Sequence, residues 1–170
     1  MRTRSHLLAF ALFLTACASS QSAAAQPLTA ADSLALDVLY ADWRLPHEAD
    51  LARAMDPSCG RPPLMLDGDF DGDGRADRAA LVVPADSTQK VGRVEMVVLF
   101  QRPARMHAVH IDAAGSGGWE TVRAGAFVSD FLGEESVVLE ADGLEVYACE
   151  KASFVLYYKN GAFVDIATGD

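Results

Sequence analysis

The segment of residues 67–77, DGDFDGDGRAD, restricts the fold more than any other part of this sequence. Glycine accepts the left-handed backbone of tight loops, and carboxylates crowded into one loop repel each other unless a cation neutralises them. Oxygen donors on alternate positions are the pattern by which a short loop wraps around calcium. Because the segment has no His or Cys, calcium or magnesium is favoured over transition metals. The segment therefore predicts a cation-binding loop.

The predicted ligands follow from one register, in which Asp69 is the first. Carboxylates then recur on alternate positions, a glycine follows where the loop must turn, and a backbone carbonyl and a last carboxylate complete the set. Asp67 falls outside this register and is not expected to be a main ligand. The alternative is that the acidic residues only form a solvated turn. The calcium ligands predicted from the spacing are Asp69, Asp71, Asp73, the backbone carbonyl of Arg75, and Asp77.

The loop resembles the DxDxDGxxD loops of FG-GAP and VCBS-type repeats, which lie between two strands. It does not match an EF-hand, because Ala80 stands where the closing glutamate would be and the following residues are β-type. Those repeat families use many copies, and the single copy here excludes a propeller. With the segments GDFDGDGRADRAALV and EKASFVLYYKNGAFVDI, the chain from about Gly68 onward resembles small exported bacterial proteins, lipoproteins and lysozyme-inhibitor-like members among them.

The rest of the chain predicts an α+β fold, with N-terminal helices packed on a mainly antiparallel β-meander. Thr29 and Asp32 are typical of a helix start, and Pro46 suits the first turn of a second short helix. Short β-type segments follow the Asp-rich loop, and Asp142-Gly143 and Asn160-Gly161 are typical of tight hairpin turns. Successive hairpins favour an antiparallel sheet with the helices on one face.

The N-terminus predicts export. Residues 1–16 combine a positive start with an apolar run too short to span a bilayer. Two cleavage sites compete: the sequence before Cys17 resembles a lipoprotein lipobox, whereas ordinary cleavage after Ala25 would leave Cys17 as an incidental residue of the signal. We predict lipidation at Cys17, a flexible tether over residues 17–26 and a single globular domain over residues 27–170. The expected location is the periplasmic face of the outer membrane, or the periplasm or medium after cleavage at Ala25.

Cys59 and Cys149 are the two cysteines outside the predicted signal and lipidation site. In the oxidising compartment that an exported chain meets, paired cysteines tend to form disulfides, and we predict one between these two. Two separate buried thiols are the alternative. Neither residue belongs to a CxxC or a close Cys-His spacing, so a zinc site is not expected.

The charge balance indicates which partners the protein can bind. Asp and Glu number 24 against 14 Lys and Arg, a formal net charge of −10, and removal of a signal that contains Arg2 and Arg4 makes it more negative. Nucleic-acid binding depends on Lys and Arg that neutralise phosphates, so no nucleic acid is expected, and a membrane is expected only through the lipid anchor. An acidic protein suits a basic partner, such as a lysozyme-like enzyme.

An enzyme would need a nucleophile, a base or an open metal site, and the sequence predicts no such set. His107 and His110 lie at odd spacing in a β-type segment, which places them on opposite faces. Ser116 lacks the strand–turn–helix context of a hydrolase nucleophile, and Glu134-Glu135 is typical of a solvated turn. We therefore predict a non-enzymatic envelope domain that binds a macromolecular partner. A purely structural lipoprotein, or an enzyme whose site is built from scattered acids, is the alternative.

Overall fold

The computed structural model describes residues 27–55, 61–85, 93–102, 106–111, 117–148 and 152–169. The predicted signal (1–16), the tether (17–26) with its lipidation site Cys17, and the disulfide partners Cys59 and Cys149 lie outside the described residues. Lipidation and the disulfide therefore stay predictions. In the part of the chain that the structure describes, no helix is both long and apolar enough to cross a membrane.

Two short helices open the described chain. Helix α1 (Ala30–Leu39) begins where the sequence predicts. The Thr29 hydroxyl accepts from the Asp32 amide at 3.2 Å, and the Asp32 carboxylate accepts from the Thr29 amide at 2.7 Å, so each side chain satisfies a free N–H group of the first turn. Helix α2 (Glu48–Ala54) follows and contributes Leu51 to the core.

The first sheet is antiparallel and contains five strands: β1 (Trp43–Arg44), β2 (Met65–Gly68), β3 (Asp77–Pro84), β4 (Glu95–Gln101) and β5 (Met106–Ile111). β3 pairs with β4 along one side, and with β2 and β1 along the other. β5 pairs with the far side of β4. β2 and β3 form a hairpin in which the last residue of β2 and the first of β3 are partners, so the Asp-rich segment closes this hairpin as a loop.

The remaining strands form a four-stranded antiparallel sheet and a separate two-stranded ribbon. The four-stranded sheet has the order β11-β10-β9-β6, and the ribbon of β7 with β8 is inserted in the chain between β6 and β9. The turn between β10 and β11 lies at Asn160 and Gly161, which both have positive φ, as the sequence predicts. The bounds are β6 (Gly118–Val122), β7 (Phe127–Ser129), β8 (Ser136–Val138), β9 (Gly143–Ala148), β10 (Ala152–Lys159) and β11 (Ala162–Gly169).

The layers of the fold follow from which face of each strand is apolar. Successive residues of β4 point to opposite faces. Val97 and Leu99 pack beneath α1 beside Leu36, whereas Val98 and Phe100 pack towards the four-stranded sheet. The outer face of the four-stranded sheet packs on the inner face of the ribbon. The layer order is therefore α1, five-stranded sheet, four-stranded sheet and ribbon.

The predicted α+β fold class, with N-terminal helices and antiparallel strands, is confirmed. The turn predicted at Asp142-Gly143 is wrong. β8 pairs with β7 in the ribbon, whereas β9, which begins at Gly143, pairs with β6 and β10. The strands before and after Asp142 thus belong to different sheets. The physical reason is that the Asp142 carboxylate accepts hydrogen bonds from the amides of Asp69 and Ala124, which hold it away from a local hairpin turn.

Candidate metal centre

The loop between β2 and β3 combines glycines in a left-handed conformation with one apolar anchor. Gly72 and Gly74 have φ values of 74° and 82°, which strain any residue with a Cβ atom, and they let the chain turn sharply within the loop. Phe70 lies between the acidic residues, and its side chain is fully buried in the core between the sheets. The hydrophobic core therefore fixes the start of the loop.

Three of the predicted ligands converge in space. Asp69, Asp71 and Asp77 each place one carboxylate oxygen within 4.8 Å of the other two. Calcium oxygens lie about 2.3–2.6 Å from the ion, so oxygens at this separation can share one cation. This group could hold a metal ion, as the spacing of the acidic residues predicts.

Asp77 is the innermost member of the group, with a relative exposure of 2%. Its Oδ2 atom accepts from the amide of Phe70 at 2.9 Å, and its Oδ1 atom accepts from the amide of Gln101 at 2.8 Å. Burial raises the pKa of the Asp77 carboxyl to about 6, and the charge of Asp71 acts in the same direction against the backbone hydrogen bonds. A cation beside this carboxylate would favour its charged form.

Asp69 gives the clearest indication that the group suits a cation. Its Oδ2 atom accepts from the amide of Gly74 at 2.9 Å. Its Oδ1 atom is buried and has no hydrogen-bond partner among the described residues. A buried carboxylate oxygen without a partner loses its hydration without compensation, and a cation placed among the three carboxylates would supply that compensation.

Asp71 contacts a positive side chain of the protein itself. Its Oδ2 atom lies 2.9 Å from Nη2 of Arg102, and its Oδ1 atom accepts from the amide of Asp73 at 3.3 Å. The Arg102 guanidinium also lies 5.3 Å from the ring centroid of Phe100, in the range of a cation–π contact. Arg102 therefore neutralises part of the acidic group, and a cation bound by Asp71 would compete with it.

The other two predicted ligands, Asp73 and the Arg75 carbonyl, are not part of this group of side chains. The side chain of Asp73 is outside the converging group, and its Oδ1 atom accepts from the amide of Arg75 at 2.9 Å. Ligation by the Arg75 carbonyl stays a prediction. Asp67, which the register excludes, lies in β2 and pairs with Nε of Arg78 at 3.1 Å.

Asp142 is a residue of the site that the sequence did not indicate. Its Oδ2 atom accepts from the amide of Asp69 at 3.0 Å, and its own amide donates to the Asp69 carbonyl at 2.9 Å. Its Oδ1 atom accepts from the amide of Ala124 at 2.9 Å, and Nη1 of Arg123 lies 2.8 Å from Oδ2. Burial raises the pKa of Asp142, but these hydrogen bonds outweigh it and leave the pKa below its ordinary value.

This carboxylate links the loop to both ends of the ribbon. Ala124 lies just before β7, and Asp142 itself lies between β8 and β9. The Asp142 carboxylate and amide thus join the first residue of the loop to the two connections that carry the ribbon. An Asp-Gly pair is so common in turns that its sequence context offered no signal for this long-range role.

No family model, curated protein or solved structure matches this chain. The resemblance to exported proteins with a single Asp-rich loop therefore stays a prediction.

Proposed function

We propose that this protein is a non-enzymatic domain of the bacterial cell envelope, anchored by lipid at Cys17, whose Asp-rich loop binds calcium as a structural cofactor. The observation that carries the proposal is the buried, unpartnered Oδ1 atom of Asp69 within the group that it forms with Asp71 and Asp77. The acidic charge of the chain, −10, suits a basic macromolecular partner in the envelope.

Calcium is favoured over magnesium by the form of the site. The ligands are carboxylates on one short loop, held at the angles that the backbone permits and partly engaged with backbone amides. Calcium accepts six to eight oxygens in irregular geometry, whereas magnesium requires a near-ideal octahedron and releases its waters reluctantly. Calcium therefore tolerates this arrangement better.

A structural role is favoured because the ligands also hold the chain together. Asp77 joins the end of the loop to Gln101 at the end of β4, and Asp69 is joined to Asp142. A cation among Asp69, Asp71 and Asp77 would remove their mutual repulsion and lock these contacts. Because it would bind only the folded state, it would raise the stability of the whole domain.

The test is a melting experiment on protein from which cations have been removed by chelation. We expect saturating calcium to raise the melting temperature, and magnesium to raise it less. Asp69→Asn keeps an oxygen that can accept from the Gly74 amide but removes a charged ligand, so it should abolish the rise. Asp73→Asn is the matched control, with the same chemical change in the same loop outside the converging group, and should keep most of the rise.

The wild type tests whether the loop binds calcium, and the two variants test which aspartates are its ligands. A wild-type melting temperature that calcium leaves unchanged would refute the calcium site. A rise that Asp73→Asn abolishes as fully as Asp69→Asn would keep the cation but show that Asp73 is a ligand, as the spacing of the loop predicts.

The anchor is tested separately by mass spectrometry of the mature protein. We expect an acylated N-terminal Cys17, because the lipobox precedes it. An unmodified chain that begins at Gln26 would exclude the lipoprotein and leave a periplasmic or secreted protein.

A further inference from the structure

The β7–β8 ribbon exposes large apolar side chains that the rest of the described chain does not cover. Phe127 is 70% exposed and Val138 is 56% exposed, and the two residues are register partners on the same face of the ribbon. Phe131 and Leu132, in the turn between the strands, are 54% and 64% exposed. We call these four residues the ribbon patch. Exposed apolar groups gathered on one element mark interaction sites more often than single exposed ones do.

The ribbon patch is held in place by ordered structure beneath it. Val128 and Val137, the pair on the opposite face, pack against the outer face of the four-stranded sheet. The amide of Phe131 donates to the carbonyl of Ala167 at 3.1 Å, which attaches the turn to β11. The exposed side chains are therefore presented by a fixed backbone, which reduces the entropy lost when a partner binds.

Hydrogen bonds within the turn complete this support. The Asp130 amide donates to the Glu135 carbonyl at 2.9 Å, and the Asp130 carboxylate accepts from the Glu135 amide at 3.1 Å. The amide of Gly133, which has a φ of 72°, donates to the Asp130 carbonyl at 3.1 Å. Several hydrogen bonds therefore fix the backbone of the turn that carries Phe131 and Leu132.

The charge around the ribbon patch has a single sign along the chain. Between Arg123 and Lys151 the sequence has no Lys or Arg. Glu134 and Glu135 are exposed in the turn itself, and Glu140 is exposed just after β8. Lys159, in β10, lines one small cavity together with Val138 and Glu140, so a positive group reaches one side of the patch. The turn itself presents the apolar side chains of Phe131 and Leu132 beside the carboxylates of Glu134 and Glu135.

We propose that the ribbon patch is the docking surface for a basic protein that receives Phe131 and Leu132 in an apolar pocket rimmed by Lys or Arg. The proposal rests on the proposed function only in placing that partner in the cell envelope. Charge complementarity selects this occupant. A second copy of the chain would bring Glu134 and Glu135 against their own counterparts, and an anionic membrane surface would repel them as well.

The probe is a random peptide library displayed on phage, selected against the purified protein as its host exports and processes it, with calcium present. We expect enriched peptides to combine Lys or Arg with aromatic or aliphatic residues. One enriched peptide is then synthesised, and its Kd is measured by calorimetry. Phe131→Ser with Leu132→Ser should weaken binding at least about tenfold, since the buried anchors of an interface carry most of its affinity.

Two further variants separate this surface from general stickiness. Leu34→Ser with Val38→Ser is the matched control, because these α1 residues are 66% and 89% exposed and lie elsewhere in the fold; it should leave the Kd unchanged. Glu134→Gln with Glu135→Gln should weaken binding and reduce its dependence on salt concentration. Enriched peptides without basic residues, no enrichment at all, or equal loss in the α1 control would overturn the proposal.

Two further measurements test self-association and separate the ribbon patch from the calcium proposal. A dimer in light scattering that Phe131→Ser with Leu132→Ser abolishes would overturn the basic partner in favour of a second copy. The melting response to calcium reports the other proposal. Peptide binding in a protein that calcium does not stabilise would refute the calcium site and support the ribbon patch. A calcium response without peptide binding would support the calcium site and refute the ribbon patch.

Discussion

The Asp-rich loop (residues 69–77) buries a charged side chain, whereas the β7–β8 ribbon (residues 127–138) exposes large apolar ones. In the loop, the carboxylate of Asp77 is only 2% exposed and lies between backbone amides of two segments. In the ribbon, Phe127 is 70% exposed although the opposite face of the same two strands is packed on the core. The loop connects the two strands of a hairpin and the ribbon is itself a hairpin, and both contain glycines with positive φ.

Each region leaves one kind of group without a matching environment. Buried charges in proteins are paired or bind metals, and large exposed apolar groups are covered by a partner or a ligand. We therefore propose that a cation completes the loop and that a protein surface covers the ribbon. Removing a loop carboxylate should damage stability, whereas removing an apolar side chain of the ribbon patch should damage only binding.

The largest effect is expected for Asp77→Ala. It leaves the buried amide of Phe70 and the partly buried amide of Gln101 without their acceptors, and a buried unsatisfied donor costs about 1–3 kcal/mol. We expect a loss of about 3 kcal/mol in the free energy of unfolding, measured by urea denaturation without calcium at about pH 4, where the contribution of Asp77 is full. Phe131→Ser, in the ribbon, should change it by less than about 0.5 kcal/mol. Equal losses in both variants would remove the contrast between the two regions.

The next effect is a pH dependence that belongs to the loop. The folded pKa of Asp77 is raised to about 6, above an unfolded value of about 3.9, so the folded chain binds more protons between these values. The contribution of Asp77 is then full below about pH 4 and falls as the pH rises through about 6, by on the order of 3 kcal/mol in total. We expect this decline in calcium-free protein and its absence in Asp77→Asn.

The decline is read as the difference between wild type and Asp77→Asn at each pH, because other carboxyls act in the opposite sense. Hydrogen bonds from Arg44 and from the His47 amide hold the pKa of Asp50 well below its usual range. Asp142 is shifted in the same direction. Their stabilisation is present above about pH 4 and is lost on further acidification. A difference that stays flat from pH 4 to 6.5 would contradict a raised pKa for Asp77.

Asp142→Ala should disturb both regions, because the Asp142 carboxylate connects the loop with the ribbon. It removes the acceptor of the Asp69 and Ala124 amides, and the pairing with the largely exposed Arg123 side chain adds little. We expect a loss of about 1.5 kcal/mol, a weaker calcium response in melting and faster hydrogen exchange at the ribbon. Arg123→Ala is the control and should reproduce almost none of this. Unchanged exchange at the ribbon would show that Asp142 holds the loop alone.

The smallest effects compare one glycine from each region. Gly74 in the loop and Gly133 in the ribbon turn have φ values of 82° and 72°, and a Cβ atom would meet nothing within 4 Å in either place. Each Gly→Ala substitution should therefore cost about 1 kcal/mol from backbone strain alone. Only Gly74→Ala should reduce the calcium response, and only Gly133→Ala should weaken binding of the selected peptide. Reversed or shared effects would show that the regions are not independent in function.

Local patterns predicted those parts of the molecule that depend on near neighbours. Thr29 and Asp32 cap each other across three residues, and Asn160-Gly161 forms the turn that its dipeptide prefers. The alternation of acidic residues predicted Asp69, Asp71 and Asp77. It failed to show that Asp73 stays outside the group, because spacing fixes the order of side chains along a loop and not the direction in which each one points.

Residue types within a few positions of each other were enough to predict a loop of converging carboxylates that could hold a cation, a capped N-terminal helix and antiparallel strands. Two features could be found only in the folded chain: Asp142, 73 residues after Asp69, holds the loop, and β8 pairs with β7 in an exposed ribbon and not with β9. Such contacts depend on which strands pair with each other. Many apolar segments of this chain could pair, and only the packing of the whole core selects one arrangement.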